Sequence, residues 1–256
     1  MTSEEAQKVW RGNFGKELHK SVCAYCLPIF WQGRGTNGGY VIRNNGTAFI
    51  LNCGAESFVV TAAHVYEGYM EARKNEELRA WLGRIPFRMD ERVTGYVDSK
   101  TLDVATFRIT VDEVEETGKT VLYGNQAAWP PSRITNRLGA LFAGFPGNQR
   151  IEGESLECNF GLYSAFSPVS SVSDRHFGCA FDRSKWIDTM EQGLPKEGFD
   201  LGGISGCPVL TVDESPSGIL SWHLAGIGYS SSESGEIFFA YHADSIRQDG
   251  TLNYEA

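Results

Sequence analysis

Short apolar runs separated by glycine-rich turns recur along the chain, and they restrict the fold more than any other feature. Glycine makes up 29 of the 256 residues, against a usual share of about 7%. Apolar runs of strand length bounded by Gly, Asn and Pro are typical of β-strands joined by tight turns. We therefore predict an all-β protein with strands at residues 28–32, 39–42, 47–51, 57–61, 87–89, 93–97, 104–110, 138–145, 151–156, 159–165, 176–180, 208–211, 217–224 and 237–241.

The predicted strands fall into two halves of similar length. Residues 23–115 would form the first half and residues 137–256 the second, with a polar linker over residues 116–136. Residues 1–22 would form a helical N-terminal arm that extends passively from the first half. Two packed antiparallel β-barrels or a pair of sandwiches fit this division.

Local patterns predict the remaining elements. Apolar residues between His64 and Gly83 largely repeat at helical spacing, which predicts a helix that ends at Gly83. Asn45-Gly46 lies between two apolar runs and predicts a β-hairpin. A short C-terminal helix is expected over residues 243–247.

Net charge and hydropathy argue against two classes of partner. The chain carries 23 basic and 32 acidic residues, a net charge of -9, so it repels phosphate backbones, and no basic run offsets this. The sequence contains no run of 18 apolar residues, the length that a membrane-spanning helix needs. The N-terminus is acidic and lacks the hydrophobic core of a signal peptide. We expect a cytoplasmic protein that binds neither nucleic acid nor membrane.

The six cysteines do not form a recognisable metal or redox motif. Cys23 and Cys26 make a lone C-x-x-C, and the other four stand singly, whereas a zinc site would need a second pair. Thiols in the cytosol stay reduced. We expect structural thiols with no metal and no cofactor. A cysteine-based redox or metal protein is an alternative that metal analysis would test.

Two segments of the first half carry residues suited to catalysis. The segment 59–64, VVTAAH, is a β-branched run that ends in two alanines and His64, so the backbone can turn tightly with the imidazole at the sheet edge. The segment 102–104 places Asp103 at the mouth of an apolar strand, where a carboxylate needs a donor or a positive partner. Each segment also has an ordinary interpretation, as a core or surface histidine and as a turn aspartate.

A third segment lies in the second half. Residues 202–208, GGISGCP, place Ser205 among glycines ahead of an apolar strand. Gly203 and Gly206 allow backbone N–H groups to point into a cleft without a Cβ in the way, as an oxyanion hole requires. Taken alone, the segment fits a glycine-rich turn equally well.

Taken together, these segments resemble the chymotrypsin/trypsin-like serine peptidases, whose motifs read T-A-A-H, D-[IVL]-A and G-[DN]-S-G-G-P. The order His64, Asp103, Ser205 matches that family and neither subtilisins nor α/β-hydrolases. The turn Gly144-Phe145-Pro146-Gly147 looks like one found in bacterial members. The resemblance covers roughly residues 30–246 and implies two packed, six-stranded-type antiparallel barrels of the chymotrypsin-like fold.

The resemblance also implies a role for each matched residue. Ser205 would attack the scissile carbonyl, and His64 would take its proton and pass it to the leaving amine. Asp103 would orient the imidazole and stabilise its charged form. The backbone N–H groups of Gly203 and Ser205 would hold the oxyanion.

Two residues depart from the family pattern. Ile204 stands where secreted digestive members carry an aspartate that receives a newly cut N-terminal ammonium, and isoleucine cannot form that ion pair. We therefore expect the intact chain to hold its oxyanion hole without cleavage, with Ile204 packed inward. Cys207 replaces the second glycine and is expected in the core. Control would come from outside the chain, through a regulatory protein partner, a compartment or a ligand.

The family's substrate pocket maps onto two segments of this chain. Its floor falls at Phe199, and its wall at Gly228-Tyr229-Ser230-Ser231. A phenylalanine on the floor argues against cleavage after Arg or Lys, although a one-residue shift would place Asp200 there instead. We expect an apolar or small residue before the cut.

These observations support one leading hypothesis and one alternative. The leading hypothesis is a serine endopeptidase that hydrolyses protein or peptide substrates through an acyl-enzyme, as an intracellular processing or effector protease; an esterase on the same triad is a subclass of it. The alternative is a catalytically weak peptidase fold used as a binding module, since such folds are often reused.

Overall fold

The computed structural model describes residues 3–36, 38–124, 129–136, 139–152, 158–181, 186–196, 199–214, 220–232 and 236–254. Its helices are α1 (Ser3–Arg11), α2 (Asn13–Tyr25), α3 (Ala63–Arg73) and α4 (Val111–Thr117). Short 3₁₀ turns span Met89–Glu91, Gly147–Gln149 and Ala243–Ser245. The strands are β1 (Cys26–Arg34), β2 (Tyr40–Asn52), β3 (Ser57–Thr61), β4 (Arg79–Leu82), β5 (Ile85–Pro86), β6 (Val93–Tyr96), β7 (Ala105–Arg108), β8 (Leu122–Tyr123), β9 (Gly139–Gly144), β10 (Arg150–Glu152), β11 (Cys158–Phe160), β12 (Tyr163–Val172), β13 (His176–Ala180), β14 (Pro208–Glu214), β15 (Leu220–Ser231) and β16 (Ile237–His242).

The first half of the chain forms a curled sheet. Its strands follow the order β5-β4-β1-β2-β3-β7-β6, and β8 pairs in parallel with β2 while the other pairs are antiparallel. Buried side chains such as Ile29, Ile50 and Phe107 fill its inner face. β3 and β7 are neighbours in this sheet, so the chain segments that follow β3 and precede β7 lie together at one edge.

The second half forms a closed antiparallel barrel in the order β12-β13-β16-β15-β14-β9. The rings of Phe142 and Phe238 stack in its core with centroids 4.2 Å apart. The expectation of an all-β, chymotrypsin-like arrangement of two barrel units is confirmed. Only the second unit closes within the described residues, because the first sheet ends in β5 on one side and β6 on the other.

The N-terminal arm consists of α1 and α2 and packs on the second barrel. The ring of Trp10 lies 4.3 Å from that of Phe166, and Nδ1 of the buried His19 lies 2.8 Å from Oγ of Ser164. Burial lowers the pKa of His19, so the imidazole in this contact is neutral near pH 7. The arm is therefore ordered against the second barrel, and its passive role in activity stays a prediction.

The predicted hairpin at Asn45-Gly46 is wrong. β2 runs without interruption from Tyr40 to Asn52, and β1 pairs with it on both sides of these residues. Packing explains the two turn-type residues: a Cβ on Gly46 would lie 2.7 Å from the side chain of Val65. Asn45 is buried, with its side-chain amide bonded to another segment.

The long helix predicted after His64 is also wrong in its second half. α3 ends at Arg73, and the residues before Gly83 form β4, which pairs with β1. Ala80 and Leu82 of β4 are buried in the sheet and Trp81 between them is partly buried, so their spacing reflects strand packing. Gly83 has φ +58° and lies in the two-residue turn between β4 and β5, where glycine adopts positive φ without strain.

Smaller differences concern the other predicted elements. The predicted C-terminal helix is the 3₁₀ turn Ala243–Ser245 alone. The predicted linker contains the end of α4 and all of β8. Residues 125–128, 138, 153–156 and 217–219, which belong to the predicted linker and to three predicted strands, lie outside the described residues. No helix in the described ranges has the length and apolar character needed to cross a bilayer.

Candidate active site

His64 lies where β3 gives way to α3. β3 ends at Thr61, the fully buried Ala62 has extended backbone, and α3 begins at Ala63. The first N–H groups of a helix have no acceptor within the helix. Oδ1 of Asp103 accepts the backbone N–H of His64 at 2.9 Å, so the carboxylate fixes the start of the helix that carries the imidazole.

The same carboxylate also holds the imidazole ring. Nδ1 of His64 lies 2.7 Å from Oδ2 of Asp103. The Asp103 side chain is 10% exposed, while that of His64 is 43% exposed. An ionised carboxylate can only accept, so Nδ1 carries the hydrogen and Nε2 keeps its lone pair. This is the tautomer that a general base requires.

The surroundings of His64 raise the pKa of its imidazole above 6.5. Burial alone would lower the pKa, but the hydrogen bond and the charge of Asp103, with a further contribution from Glu67, outweigh it. Glu67 is held in place by the backbone N–H and the hydroxyl of Ser99, at 2.7 and 2.6 Å. The neutral form of His64 therefore dominates only above this raised pKa.

The Ser205 hydroxyl is half-buried and donates to the backbone carbonyl of Tyr229 at 3.1 Å. The third link of the predicted triad, from Ser205 to His64, is not made in this structure. A serine side chain changes between staggered rotamers at little cost, and catalytic hydrogen bonds often tighten only when substrate is bound. The observed bond therefore does not prevent the hydroxyl from turning toward His64.

Gly206 brings the Ser205 loop against the start of α3. A Cβ at this position would lie 2.2 Å from Thr61 Oγ1 and 2.8 Å from the backbone nitrogen of Ala62, and φ is +91°. Only glycine permits so close an approach with this backbone conformation. The loop that carries Ser205 thus lies directly beside the β3–α3 junction that carries His64, although the two come from different halves of the chain.

Hydrogen bonds hold the backbone around Ser205, because each backbone carbonyl of residues 201–205 accepts one. At 2.7–3.0 Å, Leu201 O accepts from Ile204 N, Gly202 O from Gly147 N, Gly203 O from Thr47 Oγ1, Ile204 O from Cys207 N, and Ser205 O from Thr47 N. The N–H groups of Gly203 and Ser205 have no acceptor within the part of the chain that the structure describes. These are the two donors that the sequence predicts for an oxyanion hole.

Both residues that depart from the family pattern are buried in the second barrel. Ile204 is 1% exposed and packs in the barrel core, as expected. A buried ion pair at this position would require two charges to be desolvated, whereas the apolar side chain of Ile204 requires none. Burial also raises the pKa of the Cys207 thiol far above its usual range, so Cys207 is a structural thiol.

The predicted wall of the substrate pocket adjoins the nucleophile loop. The carbonyl of Gly228 accepts the N–H of Gly206 at 2.7 Å, and the next carbonyl, of Tyr229, accepts the Ser205 hydroxyl. Ser230 and Ser231 continue β15, paired with β16, and Ser230 is exposed.

The predicted floor of the pocket lies in a different setting. Phe199 is half-buried, with its ring 5.3 Å from that of Tyr163. Asp200 is exposed, and its carboxylate accepts the N–H of Gly202 at 2.8 Å. The carboxylate is therefore used within its own loop, and the pocket assignment stays a prediction.

Sequence reasoning missed two parts of the site. Thr47 reads as an ordinary strand residue, and its role appears only once the second barrel is packed against it. Tyr241 lies beside Tyr229, with ring centroids 4.5 Å apart. Burial, followed by Tyr241 and the charge of Asp103, raises the pKa of Tyr229 to about 12. No motif marks either residue, because the loop that Thr47 contacts lies 156 residues away, and Tyr241 meets Tyr229 only through the pairing of β15 with β16.

The cysteines whose side chains the structure describes are buried or partly buried, and burial raises the pKa of each of these thiols. Cys23, Cys26, Cys53, Cys179 and Cys207 are free thiols. Burial raises the pKa of Cys53 to about 11 and that of Cys179 to about 12, so neither is a thiolate near neutral pH. Within the described ranges no three His, Cys, Asp or Glu side chains are grouped so as to hold a metal ion.

No protein-family model and no curated protein matches this chain. Among solved structures, the serine protease domain of the Sesbania mosaic virus polyprotein is 13% identical, with a TM-score of 0.44 over 86% of this chain and 88% of that chain. A second solved structure comes from work on how aromatic interactions drive the coupled folding and binding of the intrinsically disordered Sesbania mosaic virus VPg protein. It is 14% identical, with a TM-score of 0.43 over 86% of this chain and 85% of that chain. Likeness this distant does not bear on function, and nothing in it favours a bacterial type.

Proposed function

We propose that this chain is a serine endopeptidase of the chymotrypsin-like type, with Ser205 as nucleophile, His64 as general base and Asp103 as the group that orients His64. The observation that carries the proposal is the pair of hydrogen bonds that the Asp103 carboxylate accepts from the backbone N–H and from Nδ1 of His64. A carboxylate bonded only to solvent or to its own turn would not select one imidazole tautomer.

The proposed reaction uses the groups already described. The Ser205 hydroxyl leaves the Tyr229 carbonyl and turns to Nε2 of His64, which takes its proton as Oγ attacks the peptide carbonyl. The oxyanion that forms accepts from the N–H groups of Gly203 and Ser205. His64 then gives its proton to the leaving amine, and water releases the acyl group by the same steps in reverse order.

The proposal includes a preference for an apolar or small residue before the cut. Phe199 supports this preference, since it is an apolar side chain whose ring packs against that of Tyr163. Asp200 does not oppose it, because its carboxylate is exposed and already bonded to Gly202. We also propose a cytoplasmic location, which the free thiols of the described cysteines support. A regulatory protein partner and the bacterial type remain parts of the hypothesis that rest on the sequence.

A catalytically weak binding module is the second candidate, and one observation favours it. The Ser205 hydroxyl is bonded to Tyr229 in this structure and not to His64. If this orientation persisted when a peptide bound, Ser205 would not be activated and the cleft would only hold the peptide. The two candidates differ in whether the bound peptide is cleaved.

A cleavage-site profile on a proteome-derived peptide library would test the proposal. The wild type should generate new peptide termini with a shared preference at the residue before the cut, and Ser205→Ala should generate none. Ser221→Ala, an exposed serine at the other end of β15 and outside the predicted pocket, is the matched control and should leave cleavage in place. If wild type and Ser205→Ala give the same profile while both retain peptides on a column, the binding module is the better account.

A further inference from the structure

We propose that Thr47 is the positioning residue of the oxyanion loop, which we define as residues 201–206. This inference rests on the proposed function and adds to it the group that holds the two oxyanion donors in place. Thr47 lies on β2 in the first sheet, whereas the loop belongs to the second barrel. Thr47 therefore acts on the loop from the other half of the chain.

Thr47 is fully buried and uses all its polar atoms at the junction between the two halves. Its hydroxyl donates to the carbonyl of Gly203 at 2.8 Å and accepts the N–H of Phe145 at 2.9 Å. Its backbone N–H donates to the carbonyl of Ser205 at 2.9 Å, and its carbonyl accepts the hydroxyl of Thr61 at 2.6 Å. One residue thus bonds to the oxyanion loop twice and to the two segments that flank it.

The loop needs such a contact because its internal hydrogen bond, from the Ile204 N–H to the Leu201 carbonyl at 3.0 Å, does not hold the Gly203 carbonyl. Gly203 and Gly206 have φ of +97° and +91°, and glycine passes between conformations that other residues avoid. If the peptide between Gly203 and Ile204 rotated, its carbonyl oxygen would turn toward the position meant for the oxyanion. The hydrogen bond from the Thr47 hydroxyl to the Gly203 carbonyl, at 2.8 Å, opposes that rotation, and in this proposal it keeps the N–H groups of Gly203 and Ser205 available to the oxyanion.

The turn Gly144-Phe145-Pro146-Gly147 completes this arrangement. The N–H of Phe145 fixes the direction of the Thr47 hydroxyl, since that hydroxyl has one hydrogen and must donate it elsewhere. The N–H of Gly147 donates to the carbonyl of Gly202 at 2.7 Å, next to the first oxyanion donor. The oxyanion loop is thus held by buried hydrogen bonds between neutral groups, to this turn and to Thr47. Because Ile204 carries no charge, the ion pair that secreted members of the family form at its position is not available to hold the loop.

The test compares Thr47→Val, which removes the hydroxyl at nearly constant shape, with Thr47→Ser, which keeps it. Thr211→Val is the matched control, because Thr211 is equally buried and its hydroxyl donates to the carbonyl of Gly139 at 3.0 Å, away from the loop. Two readouts are needed: hydrolysis of a p-nitrophenyl ester, with kcat and KM separated, and the backbone amide NMR resonances of Gly203 and Ser205.

We expect Thr47→Val to lower kcat by about tenfold or more, but by no more than the loss of one oxyanion donor does. Its KM should stay within about twofold of the wild-type KM. Its Gly203 and Ser205 resonances should shift, whereas Thr47→Ser should keep the wild-type kcat and resonances. Thr211→Val should lose stability but keep kcat. If Thr47→Val is unfolded, Thr47→Ala measured at lower temperature takes its place with the same expected results.

Unchanged kcat and unchanged resonances in Thr47→Val would overturn the inference. Equal losses of kcat in Thr47→Val and Thr211→Val would overturn it as well, since they would show a general effect of lost stability. Failure of the proposed function looks different: the wild type would not hydrolyse the ester at all. In that case the Gly203 and Ser205 resonances alone decide whether Thr47 holds the loop.

Discussion

Replacing Asp103 by asparagine removes the charge beside His64 while keeping the shape of the site. The Asn oxygen can still accept the backbone N–H of His64, as Oδ1 of Asp103 does at 2.9 Å. Its NH₂ group then faces Nδ1 at the position of Oδ2, 2.7 Å away. Because an amide NH₂ can only donate, Nδ1 must become the acceptor and the ring hydrogen must move to Nε2.

The cost of this exchange follows from the tautomer. With a hydrogen on Nε2, His64 cannot take the proton of Ser205, and a triad altered in this way loses about 10⁴ in kcat. That factor corresponds to about 5.5 kcal/mol of barrier. The pKa of His64 should fall at the same time, because the bond and charge that outweigh its burial are gone.

The assay is ester hydrolysis at pH 8 together with an NMR titration of the His64 ring. Asp98→Asn is the matched control, because among the described residues the Asp98 carboxylate accepts from its own turn alone, from the Lys100 N–H and the Thr101 hydroxyl, at 3.0 Å each. We expect Asp98→Asn to behave as the wild type. A near-normal rate for Asp103→Asn, or an equal loss for both variants, would refute the assignment of Asp103.

Three further predictions concern pH and the core. The value of kcat/KM should rise as His64 loses its proton, with a midpoint above 6.5 because its pKa is raised; a flat profile between about pH 5 and 8 would contradict a histidine base. Hydrogen bonds from Arg92 are the main reason that the pKa of Glu113 is lowered from 4.5 to about 2, so this carboxylate should stabilise the fold above pH 4.5 and lose that effect as the pH falls toward 2. Urea unfolding at a series of pH values should show a smaller acid loss for Glu113→Gln than for wild type. Ile204→Ala should lower the free energy of unfolding by about 2–5 kcal/mol, because the side chain is 1% exposed in the barrel core; a change below about 0.5 kcal/mol in urea unfolding would show that it is not packed there.

The sequence was informative where short segments decide the structure. Strand-length runs with glycine turns predicted the all-β class, and the segments around His64, Asp103 and Ser205 were identified from residue type and order. The structure places the first two in contact and brings the Ser205 loop beside them. The meeting of His64 with Asp103 follows from the pairing of β3 with β7, which two apolar runs in sequence cannot specify by themselves.

The errors share one physical cause, which is that packing between distant segments overrides local preference. Asn45-Gly46 has the composition of a hairpin turn, yet it lies inside β2 because Val65 packs against the bare Cα of Gly46. The strand β4 has apolar spacing that a helix would also show, and only its pairing with β1 decides between them. Thr47 carries no local signal at all, since its partners lie about 14, 98 and 156 residues away.

The most direct measurement of the central claim is labelling of the intact 256-residue chain with a fluorophosphonate probe, followed by peptide mapping. The probe reacts only with a serine that a base activates and an oxyanion hole assists. We predict one adduct, on Ser205, formed with residues 1–22 still attached, absent from Ser205→Ala and strongly slowed in His64→Ala. No adduct on the intact chain, or an adduct that Ser205→Ala retains, would contradict the account.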